Sequence, residues 1–90
     1  MSAPLLYITG ASSGIGQALA ARYARAGWRL ALVARRGDEV ATWARAQGLA
    51  PDLWAVYRAD VQDIDSIVAA GRRCLAEQGL PDVVIASAGI

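Results

Sequence analysis

The sequence predicts an α/β protein with a doubly wound parallel sheet, of which this chain forms a β-α-β-α-β-α-β portion. Three observations predict that class. Short apolar segments alternate with segments of helical periodicity, without a linker, repeat or low-complexity tract between them. Hydrophobic residues make up 56% of the 90 residues and charged residues 19%, which suits strands buried on both faces. A glycine-rich loop also separates the first strand from the first helix.

Four apolar runs are predicted to form the strands of the sheet. They cover residues 5–8, 28–34, 53–59 and 83–86. With right-handed crossovers the sheet is an open doubly wound one, and the expected spatial order in such a sheet is third, second, first and fourth strand. The direction of winding switches between the first and fourth strands, and ligands bind outside the carboxyl ends of the strands at such a point. The fourth strand is expected to leave its outer edge unpaired.

Three helices are predicted between these strands, each with one apolar face. The inward residues are expected to be Ile15, Ala18, Leu19, Tyr23 and Ala26 in the first helix, Val40, Ala41, Trp43 and Ala44 in the second, and Ile64, Ile67, Val68, Gly71 and Leu75 in the third. Asp38 and Asp63 are the predicted N-caps of the second and third helices. Gly27, Gly48 and Gly79 are predicted to end the three helices. The third helix is expected to cover its side of the sheet nearly alone.

Charge and residue types exclude several function classes. The net charge of +1 gives no electrostatic attraction for nucleic acid or an anionic membrane, so neither is expected as a partner. All nine basic residues are arginine; without histidine or lysine the chain lacks the commonest general base and metal ligand, and no metal site is predicted. Cys74 is the single cysteine, so no intramolecular disulfide can form. With no targeting segment or membrane-spanning apolar run in view, a cytoplasmic location is predicted.

The loop at residues 9–16, TGASSGIG, has the properties of an anion site. Gly10 allows a tight turn, Gly14 lets the backbone approach a pyrophosphate, and Gly16 permits close packing of the helix start. Free amides at that helix start face the anion, and two serine hydroxyls can donate to phosphate oxygens. The predicted cofactor-binding residues of the loop are Gly10, Ser12, Ser13, Gly14, Ile15 and Gly16. The competing interpretation is a Gly/Ser turn without a ligand; a P-loop is excluded, since no Gly-Lys-Ser/Thr follows.

This loop resembles the cofactor loop of the short-chain dehydrogenase/reductase family, whose pattern is T-G-x-x-x-G-x-G. Two further motifs agree in position. Asp60-Val61 resembles the family's Asp-Val pair after the third strand, and the resemblance implies that the Asp60 carboxylate meets the adenine amino group. Ser87-Ala88-Gly89 resembles the end of the N-N-A-G motif, where the backbone passes the cofactor ribose. Ala86 and Ser87 stand where the family has two asparagines, so the resemblance carries over the backbone role and not those side chains.

The end of the second strand bears on the choice between NAD and NADP. A carboxylate there accepts from the ribose hydroxyls of NAD and repels the 2′-phosphate of NADP. This sequence has Arg35 and Arg36 there, with no carboxylate before Asp38. Arg35 offers a planar donor fork suited to a phosphate, so NADPH is predicted over NADH, with Arg36 as a helper. The resemblance agrees, although Ser13 stands where many NADP-preferring members carry a basic residue; the alternative is a solvated pair of surface arginines.

The resemblance implies that residues 1–90 are the N-terminal part of a single NAD(P)-binding Rossmann domain. It further implies an NADP-dependent oxidoreductase that moves hydride between the nicotinamide and a small carbonyl or alcohol substrate, the complete protein being a homo-oligomer. In this family a lysine follows four residues after the catalytic tyrosine, so without lysine this chain is expected to hold no catalytic residue. The alternative is a non-catalytic dinucleotide-binding module complete at this length. A methyltransferase or sugar epimerase fits the glycine spacing and Asp60 less well.

Overall fold

The computed structural model describes residues 3–87 of the chain, along which strands and helices alternate. The four strands are β1 Leu5–Thr9, β2 Arg29–Ala34, β3 Trp54–Arg58 and β4 Val83–Ala86. The three α-helices are α1 Gly14–Arg25, α2 Gly37–Ala46 and α3 Ile64–Glu77, and a short 3₁₀ turn covers Pro51–Leu53. The predicted order of elements is confirmed, with each strand end within one residue of its expected place.

All four strands run parallel in one sheet with the order β3-β2-β1-β4. Leu6 of β1 is paired with Leu30 of β2 on one side and with Val83 of β4 on the other. The strand order expected from right-handed crossovers is confirmed, and β4 forms an edge of the sheet. Because the chain winds in opposite directions from β1 and β4, the switch point lies between their carboxyl ends.

The helices α1 and α2 cover the first face of the sheet. The buried residues of this face are Leu6, Ile8, Ala11, Ala20, Leu30, Leu32, Ala34, Val40 and Ala44. Val56 of β3 and Ile85 of β4 also pack against them, so this layer extends from one edge of the sheet to the other. The burial of Val40 and Ala44 confirms the predicted inward face of α2.

The inward face of α1 differs from the predicted one. Leu19 and Tyr23 pack against the core as expected. Three other residues of the predicted face are exposed: Ile15, Ala18 and Ala26. The buried residues of α1 are instead Gly16 and Ala20. These two small residues, one turn apart, let the helix approach the sheet closely, so the face is set by backbone contact and not by the bulkiest side chains.

Among the described residues, α3 alone covers the second face of the sheet. The buried residues there are Leu5, Ala31, Val33, Tyr57, Ala59, Ala70 and Cys74. Ala70 and Cys74 lie one turn apart on α3, and their small side chains allow close packing against β2 and β3. The expectation that this helix covers its side of the sheet nearly alone is confirmed.

The predicted inward face of α3 is wrong at three positions. Ile67 does pack against the second face, but Ile64, Val68 and Leu75 are 75%, 44% and 53% exposed. These three residues lie beside the buried stripe of the helix, where no described element covers them. A helical period locates an apolar face but does not say which element of the fold covers it.

Local sequence signals correctly place most helix ends. Gly27, Gly48 and Gly79 have φ values of 89°, 72° and 102°, which confirms them as the residues where the helices stop. The carboxylate of Asp63 accepts from two backbone N–H groups of the first turn of α3, which confirms it as the N-cap. The prediction for Asp38 is wrong, because it lies inside the first turn of α2 and the N-cap is Arg36.

A buried glycine begins α2. Gly37 is buried, and a Cβ atom there would lie only 2.7 Å from the Cγ atom of Arg58. The Arg58 side chain therefore lies directly over the first residue of α2, and only a glycine allows that approach.

None of the helices in the described residues has the length and apolar character that a membrane span requires.

Candidate cofactor-binding site

A cleft of about 240 Å³ opens at the carboxyl ends of the strands. Seven of the residues predicted to bind a cofactor line it: Gly10, Ser12, Ser13, Arg35, Asp60, Val61 and Ser87. The cleft thus lies at the switch point between β1 and β4, where doubly wound sheets bind their ligands. Its volume is below the ~300–1,000 Å³ typical of whole small-molecule sites, so it suits part of a dinucleotide.

Backbone hydrogen bonds fix the glycine loop to the neighbouring strands. Gly10 has a φ of 70°, which lets the chain turn sharply at the end of β1. The Ala11 N–H donates to the carbonyl oxygen of Val33 at 3.2 Å, and the Ser87 N–H donates to that of Thr9 at 3.3 Å. The end of β1 and its loop are therefore held on both sides, by β2 and by the segment after β4.

The surroundings of Gly14 and Gly16 separate their roles. A Cβ atom at Gly16 would overlap the carbonyl oxygen of Gly10 and lie 3.1 Å from the Cα atom of Ala11. A Cβ atom at Gly14 would meet nothing within 4 Å. Packing of the helix start therefore requires the glycine at Gly16, whereas Gly14 faces open space that a pyrophosphate oxygen could enter.

The start of α1 presents unpaired backbone donors. The N–H groups of Gly14 and Ile15 donate to no acceptor within residues 3–87. The helix macrodipole adds about half a positive charge at this end. Free amides at a helix start beside an open cleft fit an anion, and a dinucleotide pyrophosphate is an anion of suitable shape.

The two loop serines use their hydroxyls differently. Ser13 is the N-cap of α1: its Oγ donates to the Gly10 carbonyl oxygen at 2.8 Å and accepts from the Gly16 N–H at 3.0 Å. Ser12 is exposed at the cleft, and its hydroxyl bonds to no described residue. The Ser12 hydroxyl is therefore available to donate to a phosphate oxygen. The Ser13 hydroxyl can make the predicted donation only if it gives up its hydrogen bond to the Gly10 carbonyl oxygen.

Arg35 and Arg36 also differ in their surroundings. Arg35 lines the cleft and forms no ion pair within the described part of the chain. The Nη1 atom of Arg36 lies 3.5 Å from the Oε1 atom of Glu39 in an exposed ion pair, an interaction typically worth only ~0–1 kcal/mol. Arg35 is thus the arginine placed at the cleft, and the predicted helper role of Arg36 competes with Glu39.

Asp60 forms the opposite wall of the cleft. Its Oδ1 atom accepts from the Gln62 N–H at 2.9 Å, while Oδ2 accepts from no donor that the structure describes. Val61, beside it, is 54% exposed and adds an apolar surface to the cleft. A free carboxylate acceptor next to an apolar side chain suits a planar base that donates from an amino group.

Ser87 is a buried polar residue at the base of the cleft, only 3% exposed. Its hydroxyl donates to the carbonyl oxygen of Thr9 and lies 3.4 Å from that of Gly10. The side chain therefore ties the segment after β4 to the glycine loop. The predicted contacts of Ala88 and Gly89 with the cofactor fall outside the described residues.

Sequence reasoning missed the apolar wall of the cleft and one polar residue behind it. The wall is formed by Val33, Ala34, Ala59 and Ile67. Such residues cannot be told from ordinary core in a sequence, because strand ends and helix faces carry the same side chains. The missed polar residue is Ser66, whose hydroxyl accepts from the Asp60 N–H. The feature that could have identified Ser66 in the sequence is its position three residues after the N-cap Asp63, where polar side chains often bond to backbone N–H groups before the helix.

The remaining reactive groups lie within the second face of the sheet. Burial raises the pKa of the Cys74 thiol, and the Glu77 carboxylate raises it further. Burial also raises the pKa of Tyr57, whose hydroxyl donates to the Oε1 atom of Gln78 at 3.0 Å. Both groups stay protonated at neutral pH, as suits packing residues. Within residues 3–87, no three His, Cys, Asp or Glu side chains are grouped to hold a metal ion.

The chain belongs to the short-chain dehydrogenase family, whose family model matches residues 5–90. It is 39% identical over 85 residues to 3-dehydrosphinganine reductase TSC10A of Arabidopsis thaliana. It is also 44% identical over 85 residues to cis-4-hydroxycyclohexanecarboxylate dehydrogenase of Sinomonas cyclohexanicum. These alignments cover 93% and 92% of this chain but 25% and 33% of the two relatives. The predicted family is confirmed, and the chain spans a third or less of these relatives.

Solved structures share the fold. A short-chain dehydrogenase/reductase, glucose/ribitol dehydrogenase, from Brucella melitensis has a TM-score of 0.88 at 29% identity, over 97% of this chain and 35% of that one. A 3-ketoacyl-(acyl-carrier-protein) reductase from Brucella melitensis, complexed with NADH, has a TM-score of 0.79 at 28% identity, over 90% and 32%. An alcohol dehydrogenase from Thermococcus sibiricus, complexed with 5-hydroxy-NADP, has a TM-score of 0.79 at 33% identity, over 92% and 36%. The predicted Rossmann-type fold is confirmed.

Proposed function

We propose that this chain supplies the cofactor-binding part of an NADP-dependent oxidoreductase that transfers hydride between the nicotinamide and a carbonyl or alcohol substrate. The observation that carries the proposal is the start of α1: the N–H groups of Gly14 and Ile15 donate to no acceptor within residues 3–87, and Ser12 and Ser13, just before them, line the cleft. Membership of the short-chain dehydrogenase family supports it, and the two named relatives are a reductase and a dehydrogenase.

Each wall of the cleft has a distinct binding task in this proposal. The amides at the start of α1 and the Ser12 hydroxyl bind the pyrophosphate. Asp60 accepts from the adenine amino group, and Val61 contacts the face of the base. Ser87 acts indirectly, since its hydroxyl fastens the glycine loop. When bound, a nicotinamide dinucleotide supplies or accepts the hydride, and these residues hold and orient it.

The preference for NADP rests on the charge at the end of β2. Arg35 lines the cleft without an ion-pair partner among the described residues, and the nearest carboxylates of α2, Asp38 and Glu39, are not in the cleft lining. A free guanidinium favours a 2′-phosphate by charge and by its bidentate donor geometry. The reductase complexed with NADH and the alcohol dehydrogenase complexed with 5-hydroxy-NADP hold different dinucleotides, so the preference is argued from this chain's own residues.

Replacing Arg35 with aspartate tests the cofactor proposal. The wild-type protein should bind NADPH more tightly than NADH, and Arg35→Asp should reverse that order, because a carboxylate repels the phosphate and accepts from the ribose hydroxyls. The ratio of the two dissociation constants, measured by titration calorimetry, should change by about a hundredfold or more. Arg72→Asp makes the same charge change on an exposed part of α3 and should leave the ratio as it was. An unchanged ratio in Arg35→Asp would refute the assignment.

A non-catalytic module that binds the dinucleotide through the same cleft is the second candidate. The cleft of residues 3–87 accounts for binding of a dinucleotide, and none of the residues that line it is assigned to proton transfer. Consumption of NADPH with a panel of ketones and aldehydes distinguishes the two, since a module binds NADPH without oxidising it. We also propose, on family grounds alone, a single Rossmann domain that includes residues 1–90 and a homo-oligomeric protein. The cytoplasmic location stays a prediction from the sequence.

A further inference from the structure

The segment between β3 and α3 is held by a side chain from the first turn of α3. The Oγ atom of Ser66 accepts from the Asp60 N–H at 3.0 Å. The same hydroxyl donates to the carbonyl oxygen of Asp63 at 2.8 Å, while the carbonyl oxygen of Asp60 lies farther off, at 3.2 Å. Because a hydroxyl has one proton, Ser66 donates to the nearer acceptor, the Asp63 carbonyl oxygen, and a lone pair of its Oγ atom accepts from the Asp60 N–H.

The backbone of Asp60 is therefore fixed on both sides. Its N–H group is bound by Ser66, and its carbonyl oxygen accepts from the Asp63 N–H at 2.8 Å. The carboxylate of Asp63 in turn accepts from the N–H groups of Asp65 and Ser66, so the hydrogen bonds close on the start of α3. The position of Asp60 is thus tied to a helix and does not depend on the loop alone.

Little else holds this segment. Residues 61–65 are all exposed, so burial of apolar side chains contributes little to their order. The carboxylate of Asp60 has one oxygen bound to the Gln62 N–H and the other free at the cleft. The direction of that free oxygen follows from the backbone of Asp60, because the bond to Gln62 fixes the side chain relative to its own turn.

From this arrangement we propose that Ser66 is a positioning residue for base recognition, which holds the Asp60 carboxylate where it accepts from the amino group of adenine. The proposal rests on the proposed function, since it requires that a dinucleotide occupies the cleft. Ser66 does not itself line the cleft, so its effect on binding passes through Asp60. Removing the Ser66 hydroxyl should lower the preference for adenine over a base without an amino group, without altering the charge at Arg35.

The test compares adenine with hypoxanthine, which carries an oxygen where adenine has the amino group. Dissociation constants are measured for NADPH and for its hypoxanthine analogue, in the wild-type protein and in Ser66→Ala. The wild type should prefer NADPH by about tenfold, as expected for a hydrogen bond to a charged acceptor. In Ser66→Ala the preference should fall below about threefold, while the ratio of NADPH to NADH affinity stays at the wild-type value.

Two further variants separate positioning from a loss of structure. Ser66→Thr keeps the hydroxyl and should restore the preference for adenine, whereas Ser66→Cys keeps the volume but offers only a weak donor and acceptor and should not restore it. Thr42→Ala is the matched control: it removes a hydroxyl that donates to the Asp38 carbonyl oxygen at 3.0 Å in α2, away from Asp60. It should leave the adenine preference unchanged.

Each outcome bears on a different statement. A wild-type protein that binds neither dinucleotide refutes the proposed function. A wild type that binds NADPH but does not distinguish the two bases overturns the inference, because Asp60 then reads no amino group. Full discrimination in both Ser66→Ala and Ser66→Cys also overturns it and leaves the proposed function standing. If Ser66→Ala does not fold, the comparison of Ser66→Thr with Ser66→Cys decides the question.

Discussion

The two faces of the sheet use the same four strands but are covered to different extents. On the first face, α1 and α2 pack on a core to which all four strands contribute, and Leu32 of β2 is fully buried. On the second face, α3 covers β2 and β3, while Val84 of β4 is 64% exposed. The apolar character of a strand residue therefore does not determine its burial, which depends on whether another element lies over it.

The orientation of α3 shows where the uncovered surface lies. The guanidinium carbon of Arg73 lies 5.4 Å from the ring centre of Tyr57, in the edge strand β3. The exposed apolar stripe of Ile64, Val68 and Leu75 lies on the other side of the helix, by the 100° rotation of successive helical residues. That stripe therefore faces β1 and β4, next to the exposed part of the second face.

The largest expected difference between the faces is in truncation of strand residues. Leu32→Ala removes a fully buried side chain from the first face and should lower the free energy of unfolding by ~2–5 kcal/mol. Val84→Ala removes a mostly exposed side chain from the second face and should cost less than ~0.5 kcal/mol. Urea denaturation of the 90-residue chain measures both. A loss at Val84 as large as at Leu32 would mean that another element covers the second face in solution.

A smaller effect is expected at the helix starts. Asp63 caps α3 with two hydrogen bonds, so Asp63→Ala should lower the free energy of unfolding by ~1 kcal/mol and weaken the one helix that covers the second face within residues 3–87. The N-cap of α2, Arg36, makes no capping hydrogen bond, and Arg36→Ala is the control, with a cost below ~0.5 kcal/mol. Thermal unfolding followed by circular dichroism compares the pair; equal losses would contradict the capping role.

The smallest effect is expected on the exposed stripe of α3. Leu75→Gln exchanges two residues of similar helix propensity at a position that is 53% exposed, so stability should change by less than ~0.5 kcal/mol. The matched control is Ala70→Gln, which forces a long side chain into a position that is 2% exposed and should cost ~1–3 kcal/mol. If Leu75→Gln were as costly as Ala70→Gln, the stripe would be covered in solution.

Much of the fold could be predicted from the sequence because its signals are local. The apolar runs located all four strands, and three glycines with positive φ located the helix ends. The order of the strands then followed from the doubly wound class, without any contact information. The predictions failed where packing between elements sets the outcome: α2 begins at the buried Gly37, one residue before the predicted cap Asp38, and the faces of α1 and α3 were set by small residues.

For the candidate site, the sequence named candidate residues, and the structure shows that seven of them line one cleft in different surroundings. The loop motif named both Ser12 and Ser13, but only the structure shows that the Ser13 hydroxyl caps α1. The pair of arginines was visible as a pair, and only the structure places Arg35 in the cleft and Arg36 beside Glu39. Hydrogen-bond partners are chosen by geometry in three dimensions, so a motif cannot assign them.

The class of fold and the family followed from the sequence, because alternating segments, turn residues and the glycine-loop motif are local patterns. The strand order and the place of the cleft followed from that class. Only the tertiary structure decided which face of each helix is buried and what Ser66 and Ser87 bind. The Ser66 contacts with Asp60 and Asp63 lie within six positions along the chain, whereas the buried helix faces and the Ser87 contact depend on atoms brought together across long stretches of sequence. The Ser87 hydroxyl meets Thr9 across 78 positions, and no local pattern records such a contact.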